Sequence, residues 1–198
     1  MGRELTGVPS RDFYDRPVLV VARDLLGTTV RHGPVALRVT EVEAYGGTDD
    51  PASHAFRGPT PRSRVMFGPP GHAYVYFVYG MHWCFNVVCG PEGTAAAVLV
   101  RAGAVVRSVP AEQTRAAWRV ASGPGRFARV LGVDGGFTGT DLAGSGPVTV
   151  HTGVPVAEAQ VGRGPRIGIR VGLDLAYRLW VLDEPSVSRV RPPRPRLD

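Results

Sequence analysis

One stretch of this 198-residue chain restricts its fold more than any other. Ala73-Tyr74-Val75-Tyr76-Phe77-Val78-Tyr79 is followed by Gly80-Met81 and then by His82-Trp83-Cys84-Phe85-Asn86-Val87-Val88. Two runs rich in aromatic and β-branched residues on either side of a glycine predict a β-hairpin. Tyr79 stands where the first strand runs out. An aromatic ring at a hairpin tip has no core to enter, so it is exposed or it inserts into something. Asn86 is the one asparagine of the chain and lies in an otherwise apolar run. A buried amide there must find hydrogen-bond partners.

The segment Leu37 to Tyr45 alternates apolar and polar residues, the period of a half-buried strand. Glu41, Glu43 and Tyr45 then share one face, with Val42 and Ala44 on the other. A solvated pair of surface carboxylates is the plain reading. The aromatic hairpin, however, offers that face an apolar wall, and a carboxylate beside such a wall holds a proton more readily, which suits a general base or acid. A glycosidase pair is the other chemistry to weigh. Residues i and i+2 on a strand stand roughly 7 Å apart, but their side chains run parallel and do not flank a sugar bond.

The rest of the chain reads as scaffold. Ser10 to Leu26 is helical in two pieces, with Asp15 as cap, Pro17 in the first turn and Gly27 as terminator. Strands are expected at Thr28 to Arg31, Val35 to Tyr45, Ala95 to Ala102, Val148 to His151, Ile167 to Val171 and Leu179 to Leu182. Helices are expected at Ala111 to Val120 and Pro124 to Leu131. Gly46 to Pro70 is irregular and holds His54 and several arginines; a long irregular segment in a compact domain is commonly functional. The Gly-rich stretch 135–146 lacks a phosphate-loop lysine and a preceding strand, so it has no nucleotide role. Strands and helices mix without regular alternation. The expected class is therefore α+β: a single domain with a mainly antiparallel curved sheet, flanking helices and a protruding aromatic hairpin. The domain spans 1–188, and the Arg- and Pro-rich tail 189–198 is expected to be disordered.

The chain contains 23 arginines and no lysine, with a formal net charge of +6. That balance suggests a polyanionic partner. The two cysteines and the histidine spacing give no zinc pattern, and no metal or cofactor is expected. No apolar run approaches a membrane span and no signal peptide opens the chain, so a cytoplasmic protein is expected, nucleoid-associated if bacterial; a monomer is expected.

In order and spacing, Glu43-Ala44-Tyr45, His54, Thr60-Pro61-Arg62, Tyr74 to Met81, Asn86 and Val98-Leu99-Val100-Arg101-Ala102 resemble the alkyladenine DNA glycosylase family. The likeness runs from Phe13-Tyr14-Asp15-Arg16-Pro17 to Arg166-Ile167-Gly168-Ile169. It implies hydrolytic removal of alkylated or deaminated purines flipped out of double-stranded DNA. Glu43 matches the general base that activates a water, and Arg101 and the Ile167 carbonyl match groups that hold it. Tyr45, His54 and Tyr76 match the residues that sandwich the base, and Asn86 the pocket asparagine that disfavours a guanine amino group. Tyr79 matches the side chain that fills the gap in the duplex. These roles require Tyr76 and Asn86 on one face of the hairpin, so its loop must be odd in length. A three-residue loop, Gly80 to His82, would place Tyr76 directly opposite Asn86. With no lysine to form a Schiff base, a monofunctional enzyme is implied. A catalytically silent binder of damaged DNA is the alternative, and the presence of Glu43 favours the enzyme.

Overall fold

The computed structural model describes residues 7–107, 121–144 and 146–189. The expected helix Ala111 to Val120 and most of the expected tail lie outside them. Helices α1 (Arg11–Tyr14) and α2 (Val18–Leu25) open the fold. Asp15 closes α1 instead of capping α2, whose N-cap is Pro17. Val21, Ala22 and Leu25 form the buried stripe of α2. Gly27 then turns the chain at φ +86°, with Val154 O 2.7 Å from where a Cβ would sit.

Among the described residues, eight strands form one antiparallel sheet: β1 (Thr29–His32), β2 (Val35–Tyr45), β3 (Ala73–Val78), β4 (His82–Val88), β5 (Ala97–Arg107), β6 (Val148–His151), β7 (Val161–Gly164) and β8 (Arg178–Val181). Their order is β3-β4-β5-β2-β1-β6, with β8 also pairing β2 and carrying β7. Strand β2 is the hub. β5 runs along one edge, and β1 and then β8 share the other. The sheet curls around a core that α2 and α3 (Pro124–Leu131) close; Phe127, Ala128 and Leu131 are the buried residues of α3.

The alternation in β2 holds with one slip. Leu37, Val39, Val42 and Ala44 all enter the core, so the phase changes between Val39 and Val42. The register with β5 shifts at the same place, leaving Thr40 of β2 and Arg101 of β5 each without an opposed partner. The strand is also covered on both faces from Val39 to Ala44, not half-buried. β5 runs on to Arg107, past the expected end, and residues 167–171 form an irregular loop where a strand was expected. β7 lies just before that loop.

The hairpin has the odd loop that the sequence requires, at a different place. Val78 opposes His82, so the loop is Tyr79-Gly80-Met81, and Tyr76 faces Cys84 while Asn86 faces Tyr74. Positive φ at both Tyr79 and Gly80, with the Met81 N–H bonded to the Val78 carbonyl at 3.2 Å, is the type I′ pattern that matches strand twist. Because the shift is by two residues, Tyr76 and Asn86 still share a face.

Candidate active site

A single row of paired residues crosses four strands: Tyr74 opposes Asn86, Asn86 opposes Leu99, and Leu99 opposes Glu43. Cross-strand partners share a face, so this row is a continuous floor. A cavity of about 390 Å3 stands on it, within the roughly 300–1,000 Å3 typical of small-molecule sites. Tyr45, His54, Tyr76, Tyr79, Arg101 and the 167–171 loop form its walls. The structure thus brings all eight sequence-selected residues to one cavity.

Glu43 is fully buried at one end of the row. Its Oε1 accepts the Ile167 N–H at 2.7 Å and pairs with Arg101 Nη1 at 3.1 Å; its Oε2 accepts the Tyr45 hydroxyl at 2.9 Å. The carboxylate shares its cavity with the aromatic residues of the hairpin, as the sequence suggested, and is held in place there by polar donors. Ile167 contributes its N–H to the acid, a contact the sequence did not reveal. Arg101 is only 7% exposed, so it is a buried ion-pair residue and not a snorkelling strand end. Its unpaired position in β5 explains its aim, since bulges redirect side chains beside active sites. Its Nε bonds Glu41 at 3.1 Å while Nη1 reaches Glu43, so one guanidinium spans both carboxylates. Burial alone would lower the Arg101 pKa, but Glu43 and Glu41 raise it.

Glu41 itself is spent on structure. It also accepts Arg178 Nε at 2.7 Å, the Ser188 N–H at 2.7 Å and the Ser188 hydroxyl at 2.8 Å, and it does not line the cavity. Arg178 and Ser188 lie in the part of the sequence that carried no motif.

The aromatic walls have their own support. The His54 and Tyr76 rings meet edge to face with centroids 4.6 Å apart, and His54 Nδ1 bonds the Tyr74 hydroxyl at 2.9 Å. Burial and the charge of Arg62 pull the His54 pKa down to about 4, so the ring is neutral near pH 7. Burial pushes the Tyr45 and Tyr76 hydroxyls well above their usual range. The Asn86 amide donates to the Tyr74 carbonyl at 2.8 Å and to the Cys84 carbonyl at 3.3 Å, which satisfies its donors and fixes its plane. Tyr79 is 77% exposed, and its hydroxyl approaches the loop 3.9 Å from where a Gly168 side chain would start.

Arg166 and Asp50 were not singled out from sequence. They form a buried bidentate pair, Nη2 to Oδ1 at 2.8 Å and Nη1 to Oδ2. Arg166 also bonds the Ala44 carbonyl and stacks on Tyr45 at 4.7 Å and on Tyr177 at 5.2 Å. The pair thereby fixes the plane of Tyr45 and anchors the loop that offers the Ile167 N–H. The order Asp50…Arg166 carries no spacing signal, because its members come from distant turns. Among the described residues no three His, Cys, Asp or Glu side chains converge as a metal site, and no helix is long and apolar enough to cross a membrane.

The cavity thus joins a buried acid to aromatic walls on a curled antiparallel sheet, and the comparisons identify the family. Residues 12–185 match the family model for methylpurine-DNA glycosylase. A relative from Frankia casuarinae is 57% identical, covering 92% of this chain and 93% of its own length. Relatives from Streptomyces avermitilis and Cutibacterium acnes are 49% and 47% identical, covering 94% and 88% of this chain and 93% and 96% of their own lengths. The names of all three assign them 3-methyladenine DNA glycosylase activity by inference. This chain belongs to the methylpurine-DNA glycosylase family, and so to the DNA glycosylases, hydrolases of N-glycosyl bonds.

Proposed function

We propose that this chain flips alkylated or deaminated purines out of duplex DNA and hydrolyses their bond to the sugar with a water activated by Glu43. The observation that carries the reading is the Glu43 carboxylate, buried and held by three donors at the end of an aromatic-lined floor. The water oxygen bonds to the sugar C1′ as the C1′–N9 bond breaks. The bonding pair leaves with the purine, and the water's proton passes to Glu43. Arg101 and the Ile167 carbonyl help hold the water. An abasic sugar with a C1′ hydroxyl remains.

The base slot lies between Tyr45 on one side and the touching His54–Tyr76 pair on the other, since those two rings leave no gap between them. The His54 and Tyr76 planes stand 77° apart, so on that side Tyr76 stacks face-on and His54 meets the base by its edge; each face-stacked ring supplies about 1–3 kcal/mol. Asn86, its plane fixed by backbone carbonyls, meets the base edge and cannot move aside, so a guanine amino group there is disfavoured by crowding. Tyr79 enters the duplex in place of the flipped nucleotide and offsets the few kcal/mol of unstacking. Phosphate contacts come from arginines, backbone N–H groups and hydroxyls, so binding weakens steeply with salt.

The test is base release from duplexes carrying a single hypoxanthine, 1,N6-ethenoadenine or 3-methyladenine. Release of at least one, with the strand left intact and no adduct trapped by borohydride, is expected. A borohydride-trapped adduct would mean that an amine, not water, attacks the sugar. No release from any of the three would remove the reading.

A further inference from the structure

Two of the three rings proposed to enclose the purine, Tyr45 and Tyr76, carry a guanidinium on one face. Arg62 lies 4.7 Å from the Tyr76 centroid and Arg166 lies 4.7 Å from that of Tyr45. The rings line the cavity and the arginines do not, so each cation backs its ring from outside. The two arginines differ in one respect. Arg166 is neutralised by its bidentate pair with Asp50. Arg62 is exposed, donates to the Phe77 carbonyl at 3.2 Å, and has no carboxylate partner among the described residues.

A ring attracts a cation through its negative face. A second cation already seated on the opposite face works against that attraction, because the positive potential of the first reaches through the ring. A neutral purine is not penalised in this way. We propose that Arg62, acting through Tyr76, biases the site toward neutral lesion purines over cationic ones. Arg62 is a positioning residue for charge and not a catalytic one. The same charge already reaches the pocket wall, where it contributes to keeping His54 neutral.

The inference rests on the glycosylase reading, and the experiment separates the two. The rates of release of hypoxanthine, which is neutral, and of 3-methyladenine, whose nucleoside is cationic, are compared in duplexes of one sequence. Wild type, Arg62→Met and Arg62→Lys are measured. Any loss of a phosphate contact affects both lesions alike and cancels in the ratio. Arg62→Met should raise the 3-methyladenine to hypoxanthine ratio by about two- to fivefold, the size of an exposed cation–ring interaction. Arg62→Lys, which keeps the charge, should return the ratio toward the wild-type value. The His54 ring, followed by NMR titration, should rise in pKa toward 6.5 in Arg62→Met. If wild type releases one lesion alone, the reading is whether the cationic one is gained, or gains on background, in Arg62→Met. Release by wild type of neither of these bases nor of 1,N6-ethenoadenine overturns the glycosylase reading; if ethenoadenine is released in place of hypoxanthine, it serves as the neutral lesion of the ratio. Release with an unchanged ratio in Arg62→Met, or an equal rise in Arg62→Lys, overturns this proposal alone.

Discussion

Glu41 and Glu43 sit two residues apart on one strand, both with no exposed surface. Their surroundings differ. Glu41 accepts from two guanidiniums and from both donors of Ser188, and it faces the chain's own C-terminal segment. Glu43 accepts from one guanidinium, a tyrosine hydroxyl and a backbone N–H, and it faces a cavity. The first carboxylate is saturated by structure; the second is held in place with room in front of it. Burial and charge alone do not separate Glu41 from Glu43, the acid proposed to be the base. The identity of the donors and the presence of open space do.

Four changes test this contrast, from the largest effect to the smallest. Glu43→Gln should lower base release by about 10²–10⁴-fold, the usual worth of a positioned general base, while lesion binding persists; near-parental turnover would show that Glu43 is not the base. Glu41→Gln should act chiefly on folding. It leaves Arg101 and Arg178 buried with less compensation, a loss of about 3–5 kcal/mol readable by denaturant unfolding. Wild-type stability in that variant would break the division of labour drawn above. Tyr79→Ala removes an exposed ring from a loop, so stability should hold while binding to duplex lesions weakens by the roughly 1–3 kcal/mol of a stacked ring. Excision of an already unpaired base should change less, and equal loss on both substrates would make Tyr79 structural. The smallest effect concerns His54. Its folded pKa, about 4, lies below the unfolded 6.5. The folded state therefore binds fewer protons, and this residue's contribution is lost as pH falls from about 6.5 toward 4. Because His54 keeps one side open to solvent while the side bonded to Tyr74 is covered, solvent screening limits the effect to less than about 1 kcal/mol, and His54→Gln should flatten that part of the stability profile.

Local pattern was enough for much of this molecule. Alternation and β-branched content predict β2 from Val35 to Tyr45 and β6 from Val148 to His151, and Gly123-Pro124 with Gly132 bounds α3 at Pro124–Leu131. The face that carries Glu41, Glu43 and Tyr45 followed from the two-residue period of a strand. The odd hairpin loop followed from the same parity, because two residues can serve one pocket only if the turn keeps them on one side. The loop's placement did not follow. Gly80 fits a type I′ turn whose other central residue is Tyr79, a non-glycine at φ +53°, and sequence preference does not point to an aromatic there.

What tertiary structure alone decided is how the acidic face is used. The phase slip between Val39 and Val42 is written in the chain, but its consequence is not: paired offsets in β2 and β5 turn Arg101 onto the acidic side. Arg178, Ser188 and the Asp50–Arg166 clasp reach Glu41 and Tyr45 from up to 147 residues away. Periodicity reports which side of an element is covered, because burial acts on each residue through its near neighbours. It carries no record of which distant donor supplies the cover, and in a low-dielectric interior that donor decides whether a carboxylate is locked or left free to react.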